Sequence, residues 1–416
     1  MRIALCAAGA LWVVPGSAGA QASPPPRPLT LAEARAMAQR SSPELAAGRY
    51  GVAAAVGRER QAGAFPNPTL FYTREQTSRE GASNSQDIVG LEQPLELGGQ
   101  RGARRDAARF ERAAAEARLA GTAARIDYEV ARSYATAVAA ERRAALADQA
   151  AEAFGGAVRV SQARLAGGDV SGYQNRRLAL EAGRYAALRL QALVARDSAF
   201  HTVASLVGLA DSAGSLALVD TLTPAPLAQA VDSLVAHALA RRAELRAAML
   251  EAEAGAAEAR LAGVERVPTP ILSGGYKHER LSGGEALGGF VAGVSLPLPL
   301  WDRRGGALEA AQAEAARRRA DVEGLRRRTA HEVRTAFEAH QSLGSQLDLL
   351  EAQLGEDALK ARRAAEVAYA EGEISLLEWL DSVRAYQEAE AWYATLRAEY
   401  ITRRAALERA TGATLF

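Results

Sequence analysis

A segment with the pattern of a β-hairpin occurs twice in this chain, within sequence that otherwise has the pattern of long helices. The first copy spans Phe65–Gly102 and the second spans Val267–Gly306. A pair of prolines opens each copy and a further proline closes it. The number of residues between corresponding prolines of the two copies is almost constant. Because chance similarity rarely preserves such spacing, the sequence indicates a duplicated unit.

Side chains alternate between two faces along each copy, as they do in β-strands. One face of the first strand carries Leu70, Tyr72, Arg74 and Gln76. We expect strands at about 69–79, 87–97, 271–281 and 288–299. Strands of about ten residues with this period are typical of transmembrane barrels. A soluble hairpin packed on its own helices is the alternative, and four strands alone are too few to close a barrel.

Two proline-free segments after the hairpins predict very long helices. Arg101–Leu165 and Ala307–Tyr369 are rich in alanine and charged residues and carry coiled-coil spacing in places. At a rise of about 1.5 Å per residue, each would form a rod roughly 100 Å long. An intracellular coiled coil would explain the rods equally well, but it would not explain the hairpins.

Each rod ends in a short glycine and acid signal. Gly168 in LAGGDVSG aligns with Gly372 in YAEGEISL, and Ser171 aligns with Ser375. Glycine permits the left-handed residue that ends one helix, and serine can cap the next helix. We therefore expect tight tips from which antiparallel helices return. The expected return helices are Tyr173–Leu206 and Leu376–Ala410.

The amino-terminal segment has the pattern of a secretory signal peptide, because Arg2 precedes an apolar run and small residues. Cys6, the only cysteine, lies within it at a position that does not fit lipid modification, so we expect no lipid anchor. The expected organisation is a signal peptide (1–20), a proline-rich segment (21–30), a first repeat (31–208), a linker (209–230) and a second repeat (231–416).

Charge and motif content argue against several functions. The formal net charge is +1, which provides no overall basic field for nucleic acid. The five histidines form no i, i+4 pair and the mature chain would lack cysteine, so we expect no metal site. No nucleophile and base pairing or phosphate-binding loop stands out, and we expect neither an enzyme nor a cofactor.

Two hairpins, two long rods, two tight tips and a signal peptide resemble the TolC family of outer-membrane efflux channels. The strings LEQPLELGGQRG and VSLPLPLWDRRGG look particularly like its metal-efflux branch. The resemblance implies a mainly α fold with a membrane β-barrel. Duplicated helix, β-hairpin and helical-hairpin units would form a trimer, with a 12-stranded outer-membrane barrel on a long periplasmic α-helical barrel.

The implied function is passive export as the outer-membrane component of a tripartite RND-type system. Its partners would be two further copies of the chain, a periplasmic adaptor, an inner-membrane RND-type pump and outer-membrane lipid. Heavy-metal cations are the expected substrates, and drugs or other small organic molecules are the alternative. A periplasmic adaptor or structural coiled-coil protein is the alternative function.

The resemblance also implies roles for residues at the tips. Adaptor contact would involve Gly168, Asp169, Ser171, Gly372, Glu373 and Ser375. Glu378 and Asp381 match the paired acids of the family's constriction, although helix-start acids that stay solvated are an equal alternative. Where the family often has a basic residue able to latch the closed tip, this chain has Ile374.

Overall fold

The computed structural model describes most of the chain. The described residues are 27–210, 214, 216–219, 227 and 229–415. The expected signal peptide, with Cys6, lies outside them, as do residues 21–26 and much of the linker. Within the described part, none of the helices has an apolar stretch of the length needed to cross a lipid bilayer.

The architecture repeats one unit twice, as the hairpin duplication predicts. The first half contains β1 (Arg27–Leu29), α1 (Leu31–Ser41), α2 (Pro43–Ala62), β2 (Thr69–Arg79), β3 (Ala82–Pro94), α3 (Gln100–Gly167) and α4 (Gly172–Leu206). The second half contains β4 (Leu216–Leu218), α5 (Val231–Arg241), α6 (Ala243–Val264), β5 (Ile271–Arg280), β6 (Ala286–Ser295), α7 (Gly305–Glu371) and α8 (Leu376–Thr411). The mainly helical fold class is confirmed.

Local sequence signals set the short helices at the start of each repeat. Thr30 and Glu33 form a reciprocal capping box that begins α1, and Ser42 caps α2 while Pro43 occupies its first turn. The proline therefore separates two helices instead of kinking one. In the second repeat, α5 and α6 are divided at the corresponding place by Arg242, without a proline or a side-chain cap; its guanidinium is buried and lies 2.6 Å from Glu332.

The two hairpins join into a single antiparallel sheet with the strand order β2-β3-β5-β6. Within this sheet, the two repeats meet in the β3–β5 ladder, which runs from Ser85 opposite Arg280 to Pro94 opposite Ile271. The strand β3 begins at Ala82, earlier than its expected start at 87, because the polar residues after the turn pair with β2. Both return strands also end earlier than expected, next to prolines that cannot donate to a ladder.

The rods α3 and α7 have 68 and 67 residues and are each about 100 Å long by helix rise. The helix α3 packs against α4, α6 and α8, while α7 packs against α6 and α8. Many of the buried positions on α3 are alanines, whose small side chains allow helices to approach closely. The return helices α4 and α8 lie within one residue of their expected bounds.

A small parallel sheet supports the rods between their ends. The strand β1 pairs with β4, and Leu29 and Leu216 are buried in the central apolar cluster. The hydroxyl of the fully buried Tyr134 on α3 lies 2.7 Å from the carbonyl oxygen of Leu29 and 2.8 Å from that of Val219. The described part of the linker therefore lies against the rods, as a lateral element.

Candidate functional site

The first tip is a tight turn between α3 and α4. Gly168 has φ 86° in the left-handed region, and the Asp169 N–H donates to the carbonyl of Arg164 at 2.9 Å. Ser171 caps α4, because its hydroxyl accepts from the Gln174 N–H and the Gln174 side chain accepts from the Ser171 N–H. This reciprocal contact is a capping box with an uncharged partner.

The second tip repeats the geometry with a charged partner. Gly372 has φ 83°, and the Glu373 N–H donates to the carbonyl of Ala368 at 2.8 Å. Ser375 caps α8, and a carboxylate oxygen of Glu378 accepts from both the hydroxyl and the N–H of Ser375 at 2.7 Å. Gly168 and Gly372 both have open space where a Cβ would lie, so left-handed φ is what favours glycine there.

The electrostatics of Glu378 follow from its role in the cap. Hydrogen bonds from the Ser375 hydroxyl and then from its backbone N–H hold the pKa of Glu378 below its ordinary range. Because the folded-state pKa is lowered, this contact stabilises the tip at neutral pH and is lost as the pH falls through that pKa. The structure thus keeps Glu378 ionised and gives it a local structural role.

The other acids singled out from the sequence lie near these caps. Asp169, Glu373 and Asp381 are exposed, and Asp381 follows the buried residues Trp379 and Leu380 on α8. Within one protomer, the two tips are brought together by a direct contact, in which the Arg164 side chain donates to the carbonyl of Ala370 at 2.7 Å. The predicted acids therefore belong to one region, at the end of the rods that is remote from the four-stranded sheet.

An aromatic cluster, which the sequence analysis missed, holds the two helical hairpins together just above the tips. Phe154 on α3 stacks on Tyr185 on α4 with ring centroids 4.2 Å apart, and it also contacts Trp379 on α8 at 5.2 Å. Tyr369 on α7 stacks on the other side of Trp379 at 5.1 Å. All four helices of the lower rods thus contribute one ring each. A buried stripe on α8 at helical spacing (Trp379, Leu380, Val383, Tyr386) was the available signal.

A polar contact joins the return helices beside this aromatic cluster. The guanidinium of Arg384 on α8 lies 2.7 Å from the carboxylate of Glu181 on α4. Ile374, which replaces the basic residue of the resemblance, is half-buried and packs on the aromatic cluster. Beside the aromatic cluster, the arginine that connects the two hairpins through a carboxylate is Arg384, in the third turn of α8.

Metal-binding geometry is not found in the described part of the chain. No group of three or more His, Cys, Asp or Glu side chains there could hold a metal ion. His340 is buried against Tyr400, with ring centroids 4.4 Å apart, and burial lowers its pKa. The features found at the tips are the exposed acids and the packed aromatic cluster described above.

Long helical hairpins that continue from an antiparallel sheet define the fold of an outer-membrane channel. The fold matches the outer membrane protein VceC from Vibrio cholerae with a TM-score of 0.74 at 22% identity, covering 93% of this chain and 97% of that chain. It also matches the CmeC outer membrane channel of Campylobacter jejuni with a TM-score of 0.77 at 14% identity, covering 92% and 85%. These likenesses concern the fold alone.

Residues 234–413 match the family described as outer membrane efflux protein, so the second repeat carries a domain of that family. The cobalt-zinc-cadmium resistance protein CzcC of Cupriavidus metallidurans is 27% identical over 377 residues, which cover 88% of this chain and 86% of that protein. The resemblance to the TolC family, the function in efflux and the outer-membrane location are therefore confirmed.

The aromatic cluster predicts a local stability effect at the tips. Trp379→Ala removes the ring between Phe154 and Tyr369, and we expect a loss of about 3–5 kcal/mol because a buried cavity replaces it. Hydrogen–deuterium exchange should show faster exchange in residues 150–160 and 369–383, with little change near β1 and β4. Tyr173→Ala, which removes an exposed aromatic at the first tip, is the control. Unchanged exchange in both segments would contradict the role of the cluster.

Proposed function

We propose that three copies of this chain form the outer-membrane duct of a tripartite efflux system, passing substrate from a pump and adaptor to the exterior without chemistry. The observation that carries this proposal is the direct continuation of the two long rods, α3 and α7, from one antiparallel sheet. The sheet anchors the duct in the membrane, and the rods extend its wall about 100 Å into the periplasm.

The sheet edges support a trimer. In one chain, β2 and β6 each have a partner on one side only, so their outer edges present unpaired backbone groups. Lipid cannot satisfy such groups, and a membrane sheet must therefore close on itself. Three chains with four strands each would close a barrel of 12 strands, with β2 of one protomer beside β6 of the next.

The rods support the same assembly, because large apolar side chains are exposed along them. Examples are Leu180, Leu190 and Val194 on the return helix α4, and Leu349 and Val367 on the rod α7. A monomer would leave this surface in water, whereas neighbouring protomers would cover it. Neighbouring copies of this chain would thus cover both the unpaired sheet edges and the exposed apolar side chains of the helices.

The tips provide the surface for a helical adaptor. Asp169, Ser171, Glu373 and Ser375 are exposed beside the turn glycines. Above them, an open groove runs between α3 and α7. Its lining combines small or apolar residues of α3, Tyr369 and Trp379 with the polar side chains of Gln149, Glu152, Arg362 and Glu366. An adaptor with helical hairpins could place an amphipathic helix in this groove, and an RND-type pump would then complete the assembly.

Heavy-metal cations are the substrate class that we propose. Support comes from the similarity to a cobalt-zinc-cadmium resistance protein and from the acids at the tips. In a trimer, each of Glu378 and Asp381 would occur three times around the axis, which attracts cations. Drugs or other small organic molecules are the alternative cargo.

The assembly predicts trimers with channel activity. Outer-membrane fractions should contain a heat-modifiable species of three protomers, and the purified species should conduct ions in planar bilayers. Both results follow from strands that close only between chains. Recovery of the chain as a monomer without conductance would contradict the duct.

The substrate class predicts a selective growth defect. Cells that lack this chain should tolerate less zinc, cobalt or cadmium salt, because the pump has no exit through the outer membrane. Growth with lipophilic antibiotics should be unchanged, and expression of the chain should restore metal tolerance. Sensitivity to antibiotics with unchanged metal tolerance would instead favour organic cargo.

The charge at the second tip can be separated from its capping role. Glu378→Gln with Asp381→Asn should lower cation preference in planar bilayers several-fold, most strongly at low salt where screening is weak. The amide at 378 preserves the cap, because Gln174 occupies the same position at the first tip. Ser375→Ala is the matched control, since it removes the cap and keeps the charge. Unchanged selectivity in the double variant would exclude these acids from the constriction.

A further inference from the structure

A charged cluster lies on one face of the sheet, midway along β2 and β3 and near the turn end of β5. It consists of Arg74 on β2, Asp87 on β3, and His278 and Arg280 on β5. The register places Arg74 opposite Asp87, Asp87 opposite His278, and Ser85 opposite Arg280. Directly paired residues of antiparallel strands project to the same side of the sheet, so the four side chains share one face.

On the helix side of the cluster, that face is largely apolar and exposed. Tyr72 lies opposite Val89, Val89 opposite Tyr276, and Tyr276 opposite Phe290, which forms a row across all four strands. The side chain of Phe290 is 92% exposed and that of Tyr72 is 60% exposed. A continuous exposed apolar row of this kind is the surface that a membrane protein presents to lipid.

The position of the cluster along the strands sets its depth. Arg74 lies four residues from Leu70 towards the β2–β3 turn, or about 14 Å by strand rise. The turn is the end opposite the periplasmic helices, so the cluster lies beyond the Tyr72 row on the exterior side. Arginine on a lipid-facing surface costs about 2–4 kcal/mol at the bilayer centre and about 0–1 kcal/mol at the interface. The cluster therefore lies on the exterior side of the Tyr72 row, and the headgroup level of the outer leaflet is the depth at which its charges cost least.

The charges of the cluster do not cancel. Asp87 accepts a hydrogen bond from the Tyr72 hydroxyl at 2.7 Å and lies 3.6 Å from the Arg74 guanidinium. This single carboxylate faces two guanidiniums and one imidazole, which leaves the face positive. The side chain of Arg74 remains 51% exposed, so its other donors point to the surroundings. On the opposite face, Lys277 is balanced by Glu279 at 2.9 Å.

We infer that Arg74, His278 and Arg280 bind the phosphate groups of phosphorylated glycolipid in the outer leaflet. Guanidinium presents a planar fork of donors that matches phosphate oxygens, and its interaction with an anionic headgroup is strengthened where apolar rings exclude water on one side. Asp87 orients Arg74 through their ion pair. This inference rests on the proposed function, because the duct is what places this face against lipid.

The test measures binding of fluorescent bis-phosphorylated lipid A to the full-length detergent-purified protein. Arg74→Gln with Arg280→Gln should weaken binding at least about tenfold, because charge-assisted contacts to phosphate are lost. Arg79→Gln with Lys277→Gln removes the same charge from the same end of the sheet but from the opposite face, and it should leave the affinity unchanged. Dephosphorylated lipid A should bind the wild-type protein as weakly as the first variant.

Two outcomes would overturn the inference. Equal binding of lipid A by the wild-type protein and the Arg74 and Arg280 variant would exclude the cluster, and equal losses in both variants would show that the face does not matter. Competition by inorganic phosphate at millimolar concentration would point to an anion site without lipid specificity. Bilayer conductance is measured on the same samples, so that failure of the duct is distinguished from failure of lipid binding.

Discussion

The pairing of β3 with β5 is the contact on which the rest of this structure depends. It joins the two repeats within one sheet and fixes their register, with Val89 opposite Tyr276. Since α3 follows β3 and α6 precedes β5, this register also sets the relative height of the helices. Rods of 68 and 67 residues then reach the same level, where Arg164 meets the carbonyl of Ala370. A shift in the ladder would be transmitted along the rods to the tips.

The tips show how the two copies of a duplicated unit have come to differ. Both use a left-handed glycine and a serine cap, so the backbone is nearly the same. The capping partner is Gln174 in one repeat and Glu378 in the other, and only the second carries charge. Packing is also unequal, because Trp379 fills the space between the hairpins from the second repeat alone. The charged cap and the tryptophan shared by both hairpins thus both lie on α8.

Features governed by local sequence could be predicted, and features governed by tertiary contact could not. Prolines, glycines and alternating side chains located the hairpins, rods and tips, since each acts on the backbone within a few residues. The three-residue strands β1 and β4 lack such a signal, because Tyr134 and a pairing across the repeat define them. The cluster around Phe154 and Trp379 depends likewise on four helices meeting, while the predicted roles of the tip residues remain predictions.

Because the rods are long, a small rotation at the sheet produces a large displacement at the tips. For a rod of about 100 Å, a rotation of about one degree at the sheet displaces the tip by about 1.7 Å, which exceeds the range of about 0.5 Å over which hydrogen-bond distances vary. Contacts along the rods oppose such bending, including Arg118 with Glu251, Arg142 with Glu390 and Arg189 with Asp148, each at 2.5 Å. The mechanical stiffness of the rods, as much as any residue at the tips, therefore determines how far the tips move under a given force.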